Sequence, residues 1–125
     1  MRDKINNFSD LDAWKINHRL VLDVYKTTKD FPKDERYGII NQLRRAASSI
    51  TANVAEGWGR YHYADRIRFY YNARGSSCEV QNFLVLSRDL GYLSSIDYQK
   101  LYLLATKGLK IINGLIRSVE KLKIK

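Results

Sequence analysis

The chain has 125 residues, of which 45% are hydrophobic, and its 22 Lys and Arg side chains exceed its 13 Asp and Glu side chains to give a formal net charge of +9. This length suits a single domain with its own core, and seven glycines with one proline argue against an architecture of short strands and turns. A membrane span would need an apolar run of roughly 18 residues, which is missing, and the single cysteine excludes an internal disulfide. The N-terminus lacks an apolar signal segment, so a cytoplasmic location is expected.

The first predicted helix follows a short N-terminal arm of residues 1–8. Ser9 and Asp10 are candidate caps, because short polar side chains accept hydrogen bonds from the free N–H groups of a first helical turn. Phe31-Pro32 predicts the end of the helix, since the residue before a proline avoids the helical region. The expected buried line is Leu11, Trp14, His18, Val21, Tyr25 and Thr28, with Leu22 beside it. His18 is predicted to be a hydrogen-bonded core or interface side chain.

The second helix is predicted from about Glu35 to Glu56, with many small side chains in its middle. Its expected core line is Ile40, Leu43, Ala47, Ile50 and Val54. Gly57 and Gly59 are predicted to end it, because glycine tolerates the left-handed conformation at a helix C-terminus.

The third helix is predicted from about Tyr63 to Leu90, with Gly91 as its stop. Cys78 falls within this helix and is expected to be a small buried side chain. The predicted apolar line is Phe69, Ala73, Ser76, Val80, Phe83, Ser87 and Leu90, with Tyr70 and Leu84 beside it.

The fourth helix is predicted to begin after a cap at Ser94 or Ser95 and to continue to Lys123. One apolar line is Leu101, Leu104, Gly108, Ile111 and Leu115, and a second is Ala105, Leu109, Ile112, Ile116 and Val119. This wide apolar face predicts contact with a partner subunit, and the alternative is a helix packed deeply between its neighbours. Short connections favour antiparallel neighbours, so the fold class is all-α, an up-and-down antiparallel four-helix bundle formed by residues 1–125 as one domain.

Basic side chains on the other side of the fourth helix are the first candidates for contacts with nucleic-acid phosphates. These are Lys107, Lys110, Arg117 and Lys121, with Arg60 and Arg66 as second candidates. The alternative is a solvated charged surface. The segment from Gly57 to Tyr63 combines aromatic and basic groups that could stack bases, although it could equally be a helix terminator with Trp58 packed over the end of the bundle.

Polar residues of the second and third helices are predicted to form an interhelical ion-pair network. They are Arg44, Arg45, Asn53, Glu56, Arg74 and Glu79. Acid–base catalysis by Glu56 and Glu79 would require raised carboxyl pKa values, whereas nearby arginines would lower them. Neither glutamate is followed by the histidine that di-iron bundles require. No enzymatic activity, metal or cofactor is therefore predicted.

Five ordered segments of the chain resemble a family of four-helix-bundle proteins encoded by intervening sequences within bacterial large-subunit ribosomal RNA genes. They are Phe31–Gly38, Gln42–Ile50, Ala52–Arg60, Ala73–Ser76 and Arg88–Leu93. The resemblance extends from Leu11 to Leu93. The sequence departs from the family pattern at Thr51, where proline is usual, and at Cys78, where alanine is common.

This resemblance implies an up-and-down bundle that assembles as a homopentamer, similar to the accessory variability determinant protein of diversity-generating retroelements. That protein is associated with a reverse transcriptase and with nucleic acid, and the family offers no catalytic residues. The predicted function is a non-enzymatic oligomeric scaffold that binds RNA or DNA, without a membrane partner. The alternative is an adaptor that docks an acidic protein such as a polymerase or reverse transcriptase.

Overall fold

The computed structural model of the protein describes residues 4–124, which form four long α-helices and two short 3-10 turns, with no strand in this part of the chain. The helices are α1 (Asp12–Thr28), α2 (Ile39–Trp58), α3 (Tyr63–Asp89) and α4 (Ser95–Ile124). The turns are Phe8–Asp10 before α1 and Lys33–Glu35 before α2. The predicted all-α fold class is confirmed, while residues 1–3 of the predicted arm lie outside the described residues.

Each helix packs against its neighbours in the chain, and α1 also packs against α4 to close the bundle. Two contacts between α3 and α4 show the relative direction of these helices. Near the start of α3, the Tyr71 hydroxyl lies 2.8 Å from Oε1 of Glu120 near the end of α4. At the other end of this pair, the Arg88 guanidinium lies 4.6 Å from the centre of the Tyr98 ring. These two contacts establish antiparallel packing, as short connections predict.

The core lies where one side of each helix turns inward. All five predicted core residues of α2 are buried. In α4 the buried line is Leu101, Ala105, Gly108, Ile112, Ile116 and Val119. Leu104, Ile111 and Leu115 of the predicted first line are only half-buried, and Ile111 and Leu115 line the groove between α4 and α1. The wide apolar face of α4 is therefore shared between the core and a partly open groove.

The predicted buried line of α3 is displaced in part. Tyr70 and Leu84, expected beside the line, are fully buried, whereas Phe69 and Phe83 are half-buried and Leu90 is exposed. Gly91 ends the helix with a φ of 81°, the left-handed conformation that its position predicts.

Helix α1 differs from the sequence prediction at its start and on its buried side. Asn7 caps the 3-10 turn together with Asp10, and α1 begins at Asp12 without a side-chain cap, so the prediction that Ser9 and Asp10 cap α1 is wrong. The buried residues are Ala13, Asn17, Leu20, Val21, Val24 and Thr28. Large amphipathic rings of the predicted line, such as Trp14 and His18, lie at the edge because their polar atoms can remain near water there.

Two buried glycines allow close helix contacts. A Cβ at Gly108 of α4 would lie 2.2 Å from Oδ1 of Asn17 in α1, and a Cβ at Gly57 of α2 would lie 2.5 Å from Cε1 of Tyr70 in α3. Gly57 remains helical and Gly59 has a φ of −75°, so neither uses the left-handed conformation that the sequence analysis assigned to them. Gly57 is required for close packing instead.

Candidate nucleic-acid interface

The four first-choice basic residues lie along one exposed side of α4. Lys107, Lys110, Arg117 and Lys121 are all exposed, and their spacing places them opposite the buried line of the helix. From the first to the last they span about 21 Å at 1.5 Å per residue. We call these four residues the cationic face.

The cationic face has no carboxylate partner in the described part of the chain. The two ion pairs found between residues 4 and 124 are Arg60–Glu56, at 3.2 Å, and Arg88–Asp89, at 2.9 Å. Glu120 is the one acidic residue in the second half of α4, and it accepts a hydrogen bond from Tyr71 of α3. This hydrogen bond raises the pKa of the Tyr71 phenol. The positive charge of the cationic face is therefore available to a ligand.

The two second-choice residues hold the loop between α2 and α3. Arg60 pairs with Glu56, and its guanidinium lies 4.7 Å from the centre of the Phe69 ring. Arg66 is half-buried and donates from Nη2 to the carbonyl oxygen of Arg60 at 2.9 Å. Their guanidinium groups are thus engaged in contacts within the protein, unlike the charged groups of the cationic face.

The predicted interhelical ion-pair network does not form among the described residues. Glu56 pairs within its own helical segment with Arg60, and Arg45 and Glu79 are exposed without an ion-pair partner. Asn53 donates to the carbonyl oxygen of Ser49, four residues earlier in α2, at 2.8 Å. The six predicted members are therefore dispersed.

Arginines of this predicted set contact aromatic rings and neutral oxygens instead. Arg44 donates from Nε to Oγ1 of Thr28 at 2.9 Å and lies over the ring of Tyr25. Arg74 lies over the ring of Tyr71, 4.9 Å from its centre.

The contact between α2 and α3 explains why this network is absent. Small polar side chains meet there, with the Oγ atoms of Ser49 and Ser76 2.9 Å apart. Small side chains bring the helix backbones close together, and long charged side chains then extend outward to solvent.

Residues 9–114 match the family model described as 23S rRNA-intervening sequence protein. The chain belongs to this family. A crystal structure of a protein of unknown function from the S23 ribosomal protein family of Bacteroides thetaiotaomicron VPI-5482 is similar in fold, with a TM-score of 0.75. That similarity covers 83% of this chain and 97% of the other at 20% sequence identity. Among curated proteins, none matches this sequence.

Sequence reasoning missed the buried polar side chains of this intervening-sequence family member. Asn17 is fully buried and donates from Nδ2 to the carbonyl oxygens of Ala13, at 2.8 Å, and Gly108, at 3.4 Å, while its Oδ1 has no partner. Ser77 is also fully buried, and its Oγ has no partner. A polar residue on an otherwise apolar helix line was the available signal for both.

Cys78 and His18 both lie outside the buried core. Cys78 is exposed on α3, so the prediction of a buried cysteine is wrong. Its position lies on the outer side of the helix, away from the core line through Ser77. His18 is half-buried and stacks on Trp14 with 4.4 Å between ring centres.

The surface of the bundle contains shallow grooves. One of them has a volume of about 620 Å³ and lies between the start of α1 and the second half of α4, where Leu11, Ile111 and Leu115 line it. No group of three or more His, Cys, Asp or Glu side chains with metal-binding geometry occurs in the described residues. None of the described helices has the length and apolar character needed to cross a membrane.

Proposed function

We propose that this protein is a non-enzymatic helical scaffold that binds RNA or DNA through phosphate contacts to the cationic face of α4. The observation that carries the proposal is the exposure of Lys107, Lys110, Arg117 and Lys121 on one side of a helix, without a neighbouring carboxylate partner among the described residues. Along about 21 Å of its axis, a nucleic-acid duplex presents roughly twelve phosphate charges. The length of the cationic face therefore allows all four side chains to contact phosphates at once.

Binding of this kind releases counterions, so the affinity should fall steeply as salt increases. Each cation that contacts a duplex phosphate contributes about 0.9 to the slope of log affinity against log salt concentration. Four contacts would give a slope of magnitude about 3.6. The net charge of +9 adds attraction at long range and favours rapid association.

The test measures binding of a fluorescent duplex and a fluorescent single strand by anisotropy at graded salt. The variant Lys107→Gln, Lys110→Gln, Arg117→Gln should reduce the magnitude of the duplex slope by about 2.7. A matched control removes three charges from α1 and the residue that follows it, where Arg19, Lys26 and Lys29 are exposed, by the same changes to glutamine.

The control should retain most of the slope. Equal losses in the two variants would show that only net charge matters and would contradict a site on α4. Nucleic-acid affinity unchanged in the α4 variant would favour an acidic protein as the partner of this face.

We also propose that the scaffold is an oligomer, with the groove between α1 and α4 as part of a contact between subunits. The half-buried apolar side chains Ile111 and Leu115 line this groove and would gain burial against a second copy. The family resemblance makes a pentamer the expected assembly. Sedimentation velocity at micromolar protein tests this, and a purely monomeric mass would refute it.

A further inference from the structure

The loop between α2 and α3 is held in place by contacts on both of its sides. The backbone N–H of Gly59 donates to the carbonyl oxygen of Glu56 at 3.1 Å. Arg60 is held through its side chain by Glu56 and Phe69, and its carbonyl oxygen accepts from Arg66 of α3. The backbone that presents the next residue, Tyr61, is therefore fixed before any ligand arrives.

Two aromatic rings at this fixed loop face solvent. The Tyr61 residue is 88% exposed, and Tyr63, the first residue of α3, is 41% exposed. A tyrosine ring has few rotatable bonds, so placing a flat partner on it costs little conformational entropy when its backbone is already held. Nucleic-acid bases are flat, and each gains free energy by stacking on such a ring.

The exposed rings lie at the same end of the bundle as the last part of the cationic face. The hydrogen bond between Tyr71 and Glu120 aligns α3 with α4, and Tyr63 precedes Tyr71 by eight positions in α3. At 1.5 Å per residue, Tyr63 therefore lies about 12 Å further along the bundle axis than Tyr71. Along the bundle axis, this offset corresponds to three or four stacked nucleotides, at roughly 3.4 Å for each phosphate along a strand.

The opposite end of the bundle offers a comparison. Tyr37 is 86% exposed there, and the Arg36 guanidinium lies 5.8 Å from the centre of its ring. The four residues before it, Lys33 to Arg36, carry two positive and two negative charges, so this segment gives a phosphate backbone no net attraction. Tyr37 is thus an exposed tyrosine without the excess of basic side chains that the cationic face provides.

We infer that the loop between α2 and α3 is a base-stacking platform, formed by Tyr61 and Tyr63, and that the ligand of this protein is single-stranded nucleic acid. Unpaired bases can stack on the two rings while phosphates of the same strand reach Lys121 and Arg117. Bases inside a duplex are already stacked and cannot do so without unpairing. This inference rests on the proposed phosphate binding by α4 and adds the chemical class of the ligand.

The test compares four fluorescent probes of equal length: an oligouridylate, an oligothymidylate, an abasic strand with the same number of phosphates, and a duplex. The protein should bind both base-bearing strands at least about fivefold more tightly than the abasic strand. The variant Tyr61→Ala, Tyr63→Ala should lose this preference, whereas Tyr61→Phe, Tyr63→Phe should keep it because the rings remain. Tyr37→Ala should bind like the unchanged protein. Since Tyr61 is 88% exposed and Tyr63 is 41% exposed, the alanine variant should remain folded, with a thermal unfolding midpoint close to that of the unchanged protein.

Failure of the stacking platform and failure of phosphate binding give different results. Equal affinity for base-bearing and abasic strands, or an equal loss in the Tyr37→Ala control, would overturn the inference about the loop. If the glutamine variant of α4 still weakened binding to all strands in that case, the proposed phosphate site would stand. If the glutamine variant bound every probe like the unchanged protein, the phosphate site itself would be refuted. The proposed contacts of the single strand with α4 would then be refuted as well.

Discussion

The contact between Asn17 and Gly108 predicts that the effect of Gly108→Ala on stability changes sign when Asn17 is also replaced. Replacing Gly108 by Ala places a methyl group 2.2 Å from Oδ1 of Asn17, where no atom can remain. The Asn17 amide must move and give up its hydrogen bonds to the carbonyl oxygens of Ala13 and Gly108. The change also removes a flexible glycine from the middle of α4, which by itself favours the helix.

The two effects can be compared in magnitude. Alanine in place of a mid-helix glycine gains up to about 1 kcal/mol. Overpacking costs typically about 1–3 kcal/mol, and a buried amide without its hydrogen bonds costs about 1–3 kcal/mol more. We therefore expect Gly108→Ala to destabilise the protein by a net of roughly 1–5 kcal/mol. In an Asn17→Ala background the obstacle is gone, and the same change should stabilise by about 1 kcal/mol.

Urea unfolding followed by circular dichroism, at one fixed protein concentration, measures all four members of this cycle. Gly75→Ala is the matched control, because Gly75 is exposed within α3 and a Cβ there would have no neighbour within 4 Å. It should stabilise the protein by up to about 1 kcal/mol. A Gly108→Ala protein that is as stable as the Gly75→Ala protein, or an effect of Gly108→Ala that is the same in both backgrounds, would refute the reasoning.

Two further predictions concern α2 and the N-terminal turn. Gly57→Ala should destabilise by about 1–3 kcal/mol in the same assay, because its methyl would lie 2.5 Å from Cε1 of Tyr70 in the core, and an unchanged midpoint would contradict this packing. The backbone N–H groups of Asn6 and Asn7 hold the pKa of Asp10 below its usual range, so the carboxylate stabilises the fold above about pH 4, and this contribution is lost as the pH falls through its folded-state pKa. A carboxyl NMR titration should show the low pKa, and Asp10→Asn should remove that part of the acid dependence of stability; an ordinary Asp10 pKa would contradict the prediction.

The pattern of the chain was a good guide to α2 and a poorer guide to α1. The core line of α2 could be predicted because its apolar side chains alternate with short polar ones. In α1 the predicted core line was partly wrong because it included the aromatic residues Trp14, His18 and Tyr25. Such rings count as apolar in a sequence pattern, yet they pack well at the edge of a core. A polar residue on an apolar helix line could indicate that Asn17 is buried, but its contact with Gly108, a residue 91 positions away, could not be predicted from the pattern.

The candidate interface was likewise predictable from the sequence only in part. Exposure of the cationic face follows from the period of a helix, so residue spacing sufficed to place Lys107, Lys110 and Arg117 together. Residue spacing could not predict that Arg60 and Arg66 are engaged in contacts within the protein. Both are held by contacts across the loop between α2 and α3, and those contacts depend on how the two helices meet.

The sequence by itself determined the four helices, their order, the charge of the molecule and the side of α4 that carries it, because each of these is a property of composition or of one helical period. Tertiary structure decided which residues meet: Asn17 with Gly108, Tyr70 with Gly57, and serines instead of ion pairs between α2 and α3. The physical reason is that periodicity specifies which side of a helix is apolar, whereas the rotation and register of two packed helices depend on the sizes of the side chains at their contact.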